Sequence, residues 1–419
     1  MIATKGVWEL TKQNVWGLAN RYPLVWRLWV SRLLTANADG IGQFSIQWLA
    51  TTFPNPAFAL AYANTFGSIG SVLSSYLFGW LSDNISPIFL MVAGNLVGAI
   101  FTIGIGLLLH SHRSISLLLI LVFLWNVFTA IARAASRSIV PRTVNQTDLP
   151  RVNAWMGTIQ PIQQFLAKGF AGIIIATGLF HAFLAAAIVM MISTIPLLTK
   201  RGYPETTHRH AKATHILSGF GIVWSNRQLR QMVVYTSIQN FGFSFFLGEY
   251  VLYLKESVHL SATQIGFGLS VATFGTVFSL TFGPRLLQKR MQWLIVSSPM
   301  LIAAGIAVIS MERGMLGFIS GLLLLELGSG FANQTVALIR QRTVPIEIMG
   351  AATGALTLCH SILVPIAMAL AGLVAVNFGT GATMQIAWIV VLLSVCFAWT
   401  LSQSTKIRLQ DGQLTSHPL

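Results

Sequence analysis

The chain has 419 residues, 54% of them hydrophobic and 9% charged, with a formal net charge of +15. A soluble chain of that length carries about a quarter charged residues, so an ordinary water-soluble domain is excluded. The short alternating segments of a membrane barrel are missing too, which leaves a polytopic helical membrane protein.

A helix needs about 20 apolar residues to cross about 30 Å of hydrocarbon. Apolar runs of that kind predict spans at 27–51, 57–82, 87–109, 115–136, 153–177, 180–198, 231–254, 262–284, 293–311, 315–339, 350–377 and 381–402. The first 23 residues hold no apolar stretch of signal-peptide type. With the N-terminus placed inside, 22 of the 26 lysines and arginines fall on the cytoplasmic side, while Arg113, Lys255 and Arg313 fall outside and Lys168 falls within a span. That split follows the positive-inside rule. The basic balance is therefore topology, and no nucleic-acid partner is expected.

These spans predict four segments: an N-terminal six-helix bundle over 1–198, a cytoplasmic linker over 199–230, a C-terminal six-helix bundle over 231–402 and a cytoplasmic tail over 403–419. The linker is the longest polar stretch. Its second part, from Leu217 to Arg230, reads as an interfacial helix with Phe220, Val223 and Trp224 on one face and Arg227 and Arg230 near lipid phosphates. His208, His210 and His215 have no cysteine or carboxylate cluster beside them, so a solvated basic loop is the better reading and no metal is expected. Cys359 and Cys396 both fall in late spans and read as two small buried hydrophobes without a disulfide. No cofactor motif is present, and an enzyme is not expected.

The two halves also repeat. Gly79 corresponds to Gly283 at an offset of 204, and Val140–Pro141 to Val344–Pro345 at the same offset. Ala171–Gly172 corresponds to Ala371–Gly372 at an offset of 200, which implies a four-residue indel. Six spans repeated in one orientation fit two bundles about an axis along the membrane normal, with solute bound near the midplane between them.

Several segments carry a family resemblance. The opening from Tyr22 to Leu34 and on through Ala38-Asp39-Gly40, the segment Trp224–Arg230, and the junction Leu252-Tyr-Leu-Lys-Glu256 with Leu260–Gly266 are similar to major facilitator superfamily proteins. They look most like the macrolide-efflux and enterobactin-exporter branch. Gly79-Trp-Leu-Ser-Asp83 resembles the front of the superfamily's loop 2–3 signature, although Asn84-Ile-Ser-Pro87 follows where basic residues are usual. In the fifth span Lys168 stands where the antiporter motif has proline. The resemblance implies a monomeric all-α transporter of twelve helices in a bacterial cytoplasmic (inner) membrane, with both termini in the cytoplasm. Gly79, Asp83, Gly283 and Arg285 would then act in gating and conformational change.

A charge at a helix centre costs about 2.5–3.5 kcal/mol on insertion scales, so its presence calls for a reason. Asp39, Glu249 and Glu326 are proton-coupling candidates, with His360 a fourth. Each also has a structural reading: Asp39 as a fixed partner of Arg32, Glu249 as an acid close to the outer interface, and Glu326 as a charge with no polar neighbour in sequence. Lys168 is a substrate or ion ligand, or an internal counter-ion. Gln43, Gln47, Gln160, Gln164, Gln239 and Asn240 are candidates for a polar cavity lining, with interhelical hydrogen bonding as the alternative. Arg133 and Arg137 read as snorkelling anchors more than anion ligands. Phe241, Phe243, Phe245 and Phe246 line a pocket or face lipid. The leading functional expectation is a proton-coupled exporter of a small amphiphile, a siderophore or a drug. Its partners would be the solute, protons and membrane lipids. A nutrient importer and a non-transporting receptor are the alternatives.

Overall fold

The computed structural model describes residues 20–109, 114–145, 147–198, 216–311, 314–344 and 348–414. Among these every regular element is helical. In chain order they are α1 (Pro23–Ala50), α2 (Pro56–Asn84), α3 (Pro87–Leu107), α4 (Ile115–Thr143), α5 (Leu149–Gly157), α6 (Ile159–Thr177) and α7 (Leu179–Ile192). Then follow α8 (Ile216–Ser225), α9 (Arg227–Glu256), α10 (Ala262–Met311), α11 (Met315–Thr343), α12 (Met349–Ser361) and α13 (Leu363–Leu414). Six stretches are long and apolar enough to cross a membrane: Pro87–Leu107, Ile115–Pro141, Leu179–Leu197, Ala262–Met311, Met315–Thr343 and Ala352–Thr405. Arg27, Arg32 and Asp39 dilute the apolar character of α1, as the glutamines and charges of α9 do for that helix.

Helix boundaries follow local chemistry. Ser86 and Ser114 cap α3 and α4, each accepting from the backbone N–H three residues on. The Asn226 side chain caps α9 through the N–H groups of Gln228 and Leu229, which separates α9 from α8. The kink at Arg290 divides α10 inside the predicted connection 285–292. A second break falls at Gly379 (φ 85°), inside the predicted 378–380 connection of α13, where only glycine is unstrained. The predicted spans at 153–177 and 350–377 are each interrupted near their cytoplasmic third, at Thr158 and Ile362.

The chain divides into two compact units: residues 1–46 with 69–210, and residues 47–68 with 211–419. In the first unit, small residues let α3 approach α4. Gly94 lies against the Phe128 carbonyl at 2.7 Å, and Gly98 lies against Thr129 and Met190. A fully buried polar node ties α1, α3 and the end of α7 together: the Asn95 side-chain amide donates to Thr35 and Ser193 at 2.9 and 3.0 Å. In the second unit, α10 and α11 meet through backbone-to-backbone approaches. Gly275 faces the Leu323 carbonyl, Gly305 faces Gly321 and Gly328 faces Ser298. Helices α9 and α13 meet at Gly242 against Val391 and at Gly248 against Ala371.

The repeat survives, with a corrected register. Helices α4 and α11 are both 29 residues long and end on extended C-caps at Val144 and Val344. The correspondence is therefore 200 residues throughout this pair, matching the offset at Ala171 and Ala371. Val140 sits inside α4 and is not the counterpart of Val344, because a Val-Pro pair recurring in an apolar chain is weak evidence of register. The reading of Val223 and Trp224 on one face also fails: Val223 is fully buried in the core beside α9 and α11, whereas Trp224 is 58% exposed. Cys396 is exposed and Cys359 half-buried, both as free thiols, so the expectation of two buried residues is corrected as well.

Candidate functional site

In the first unit the polar chemistry gathers where α1, α4 and α6 meet. Gly42 fits against the Trp125 ring at 3.2 Å, and Gly40 against Ala167 and Gln163, which draws α4 and α6 onto the middle of α1. Asp39, next to Gly40, accepts from Arg133 Nη1 at 2.9 Å, and the same nitrogen reaches the Thr129 hydroxyl at 3.3 Å. Arg133 is thus an ion-pair partner, not the snorkelling anchor that the sequence suggested. Nor is Arg32 the hydrogen-bond partner of Asp39. Arg32 Nη1 and Asp39 Oδ1 are both buried and neither finds a partner. Arg32 still lies within electrostatic range of Asp39, Arg133 and Arg137. Lys168 is half-buried, directly after the α6 residue that touches α1, and it is not without a partner. Gln164 leaves its Oε1 buried and unsatisfied, Gln160 is exposed and Gln43 is engaged.

In the second unit the other acids occupy separate places. Glu249 on α9 is completely buried, and neither carboxylate oxygen has a hydrogen-bond partner. The expectation of an acid close to the interface is therefore overturned. Its six-residue distance from Lys255 says only where it lies along the helix, whereas packing decides which side it faces. Around it stands a polar clasp. Tyr250 donates to Gln47 Oε1 at 3.2 Å, Gln47 donates to Asn64 at 3.4 Å, and Asn64 donates to the Leu247 and Gly248 carbonyls at 3.4 and 3.2 Å. Lys255 Nζ closes it by donating to Thr51 Oγ1 at 2.8 Å, with the Trp48 ring beside it. Sequence reasoning found Gln47 but missed Asn64, Tyr250 and Lys255. The signal available was an uncharged amide in the middle of α2.

Glu326 does have a polar neighbour, contributed by another helix: Thr276 donates to Glu326 Oε2 at 2.7 Å across the α10–α11 seam. Two turns further along the same seam, Gln334 donates to the Ser279 carbonyl and lies against Gly283. In the first unit the equivalent seam pairs Ser71 with Asn126, and Gly70 and Gly275 make matching approaches to Phe123 and Leu323. Asn126 and Glu326 are 200 residues apart, so the repeat puts an amide in one half where the other has an acid.

The remaining candidates do not converge on these groups. Gln239 is buried with Oε1 unpartnered, Asn240 and His360 are half-buried, and Arg285 is exposed on α10. Phe245 and Phe246 are core residues, so the lipid-facing alternative is excluded for them. The side chains at Gly79 and Asp83, and the linker histidines, lie outside the described residues. Among the described residues no group of three or more His, Cys, Asp or Glu side chains is placed to hold a metal ion.

A sequence model of the Major Facilitator Superfamily matches residues 28–368. The chain belongs to that superfamily. Solved structures agree on the fold. A bacterial homologue of the iron transporter ferroportin, in an inward-facing state, aligns with TM-score 0.73 at 16% identity over 91% of this chain and 98% of that one. A bacterial homologue of the lysosomal transporter Spinster aligns with TM-score 0.70 at 13% identity over 91% and 97%, and the nucleoside transporter NupG with 0.68 at 13% over 91% and 99%. No curated protein matches the sequence. The neighbours differ in what they carry, so they speak to the fold and not to the cargo.

Proposed function

We propose that this superfamily member is a secondary active transporter of twelve spans in a bacterial inner membrane, with both termini cytoplasmic, exporting a small amphiphile by alternating access with proton coupling. The observation that carries the reading is Glu249, a carboxyl in an apolar helix bundle with no partner for either oxygen. An isolated carboxylate there costs far more than its neutral acid, so the arrangement described suits the protonated form. Rearrangement of the clasp at Gln47, Asn64 and Tyr250 would admit water and let the proton leave. Moving one proton across 100 mV supplies about 2.3 kcal/mol, enough to drive a solute against its gradient.

Export, and a siderophore or drug as cargo, follow from the resemblance in the opening segments, not from the geometry. Import of a nutrient is the second reading, and one observation favours it: the cation-rich surroundings of Asp39 suit joint binding of a proton and an anion. Inverted vesicles under an imposed proton gradient test the proposal against a panel of amphiphiles. Gradient-dependent accumulation supports export, accumulation only in right-side-out cells supports import, and no movement of any solute removes the transporter reading.

A further inference from the structure

Three guanidinium groups surround one carboxylate in the first unit. Asp39 and Arg32 lie on the same side of α1, seven residues apart, and Arg133 and Arg137 are neighbours at i, i+4 on α4. Arg133 takes Asp39 Oδ2. That leaves Arg32 with a buried Nη1 that meets no acceptor, within electrostatic range of two further arginines. Helix α3, packed against α4, brings no ionisable group, and α6 brings Lys168, another cation. Like charges this close in a low dielectric repel one another unless an anion joins them. The cluster is also reachable, because Arg137 is exposed and the Arg133 side chain is 28% accessible.

We infer that Arg32 and Arg137, flanking the Asp39–Arg133 pair, form a binding site for an oxyanion group of the transported solute, a carboxylate or phosphate held by guanidinium forks. The inference deepens the transporter reading and rests on it for the word solute, though not for the site. It also has a consequence for coupling. Protonating Asp39 releases Arg133 Nη1 from its acceptor and removes the negative charge nearest the incoming anion. Proton and anion therefore favour each other at this cluster and move in the same direction. A cationic or neutral solute would have no such preference.

The test is direct binding to the purified full-length protein in a neutral detergent, with benzoate as probe and uncharged benzamide as its isosteric control. Benzoate is expected to bind saturably and benzamide not. Arg32→Gln and Arg137→Gln should each weaken benzoate by about tenfold or more, the loss expected for one charge-assisted hydrogen bond, while exposed Lys289→Gln on the other unit leaves it unchanged. Asp39→Asn, which resembles the protonated acid, should tighten benzoate. If that variant fails to fold, tighter binding by the native protein at pH 6 than at pH 8 gives the same information.

Equal binding of benzamide, unchanged affinity in both arginine variants, or weaker binding at pH 6 would each overturn the site. Displacement of benzoate by phosphatidylglycerol in nanodiscs, but not by neutral lipid, would overturn it by assigning the cluster to a lipid headgroup. Gradient-driven movement of a neutral solute together with absent benzoate binding would end this inference and leave the transporter reading standing.

Discussion

At the scale of single residues, the three membrane acids turn out to be three different chemical objects. Asp39 is paired, Glu326 accepts from a hydroxyl and Glu249 stands alone. Nothing in the sequence separates them, since all three are lone acids in apolar stretches, and the partners that separate them are 94 and 50 residues away. Glu249→Gln should be tolerated structurally, because an amide replaces a neutral acid of the same size. It should abolish gradient-driven accumulation while leaving solute counterflow, which needs no net proton movement, within about twofold of native. Loss of both in a well-folded variant would make Glu249 a residue of solute binding or packing instead. Removing the charge of Asp39 has a different meaning, since it strands Arg133. That pair is partly accessible, so its loss costs less than the about 3–5 kcal/mol seen when a fully buried pair is broken.

At the scale of elements, the repeat is carried by helix lengths and caps more than by identical residues. The equal lengths of α4 and α11 and their matching C-caps fix an offset that short residue matches had misjudged by one helical turn. The α1–α2 turn offers a test of the clasp. It is held to α9 by the amide and hydroxyl contacts of Gln47, Asn64, Thr51, Tyr250 and Lys255. In a protein with Cys359 and Cys396 replaced by serine, a cysteine at buried Ala57, in the first turn of α2, reports on this region. Asn64→Ala removes donors to two carbonyls and should speed modification of that cysteine by a membrane-impermeant maleimide several-fold, roughly as loss of one or two hydrogen bonds predicts. An unchanged rate would mean that apolar packing at Gly248 and Gly372, not the amide network, holds the turn in place.

At the scale of the whole molecule, the distribution of arginine and lysine predicts sidedness, and sidedness is checked without knowing the cargo. A cysteine at His208 in the linker should be modified by an impermeant maleimide in inverted vesicles and not in intact cells, while a cysteine at Arg313 should behave oppositely. The reverse pattern would invert the proposed topology and with it the direction of any proton-driven transport.

Membrane class, the long helices and the two-fold repeat were all legible in the chain, because hydrocarbon permits so few ways to satisfy a backbone that apolar run length and charge placement nearly decide them. The breaks at Gly379 and near Arg290 were readable for the same reason, as gaps between such runs. Which polar side chains meet was not readable. Whether Arg133 snorkels or binds Asp39, whether Glu326 is alone or touches Thr276, and whether Glu249 faces lipid or core all depend on helix rotation and on close approaches at glycines such as Gly40, Gly42 and Gly275. Those approaches are contacts between residues distant in the chain, and helical periodicity within one segment carries no information about the azimuth at which a neighbouring helix arrives.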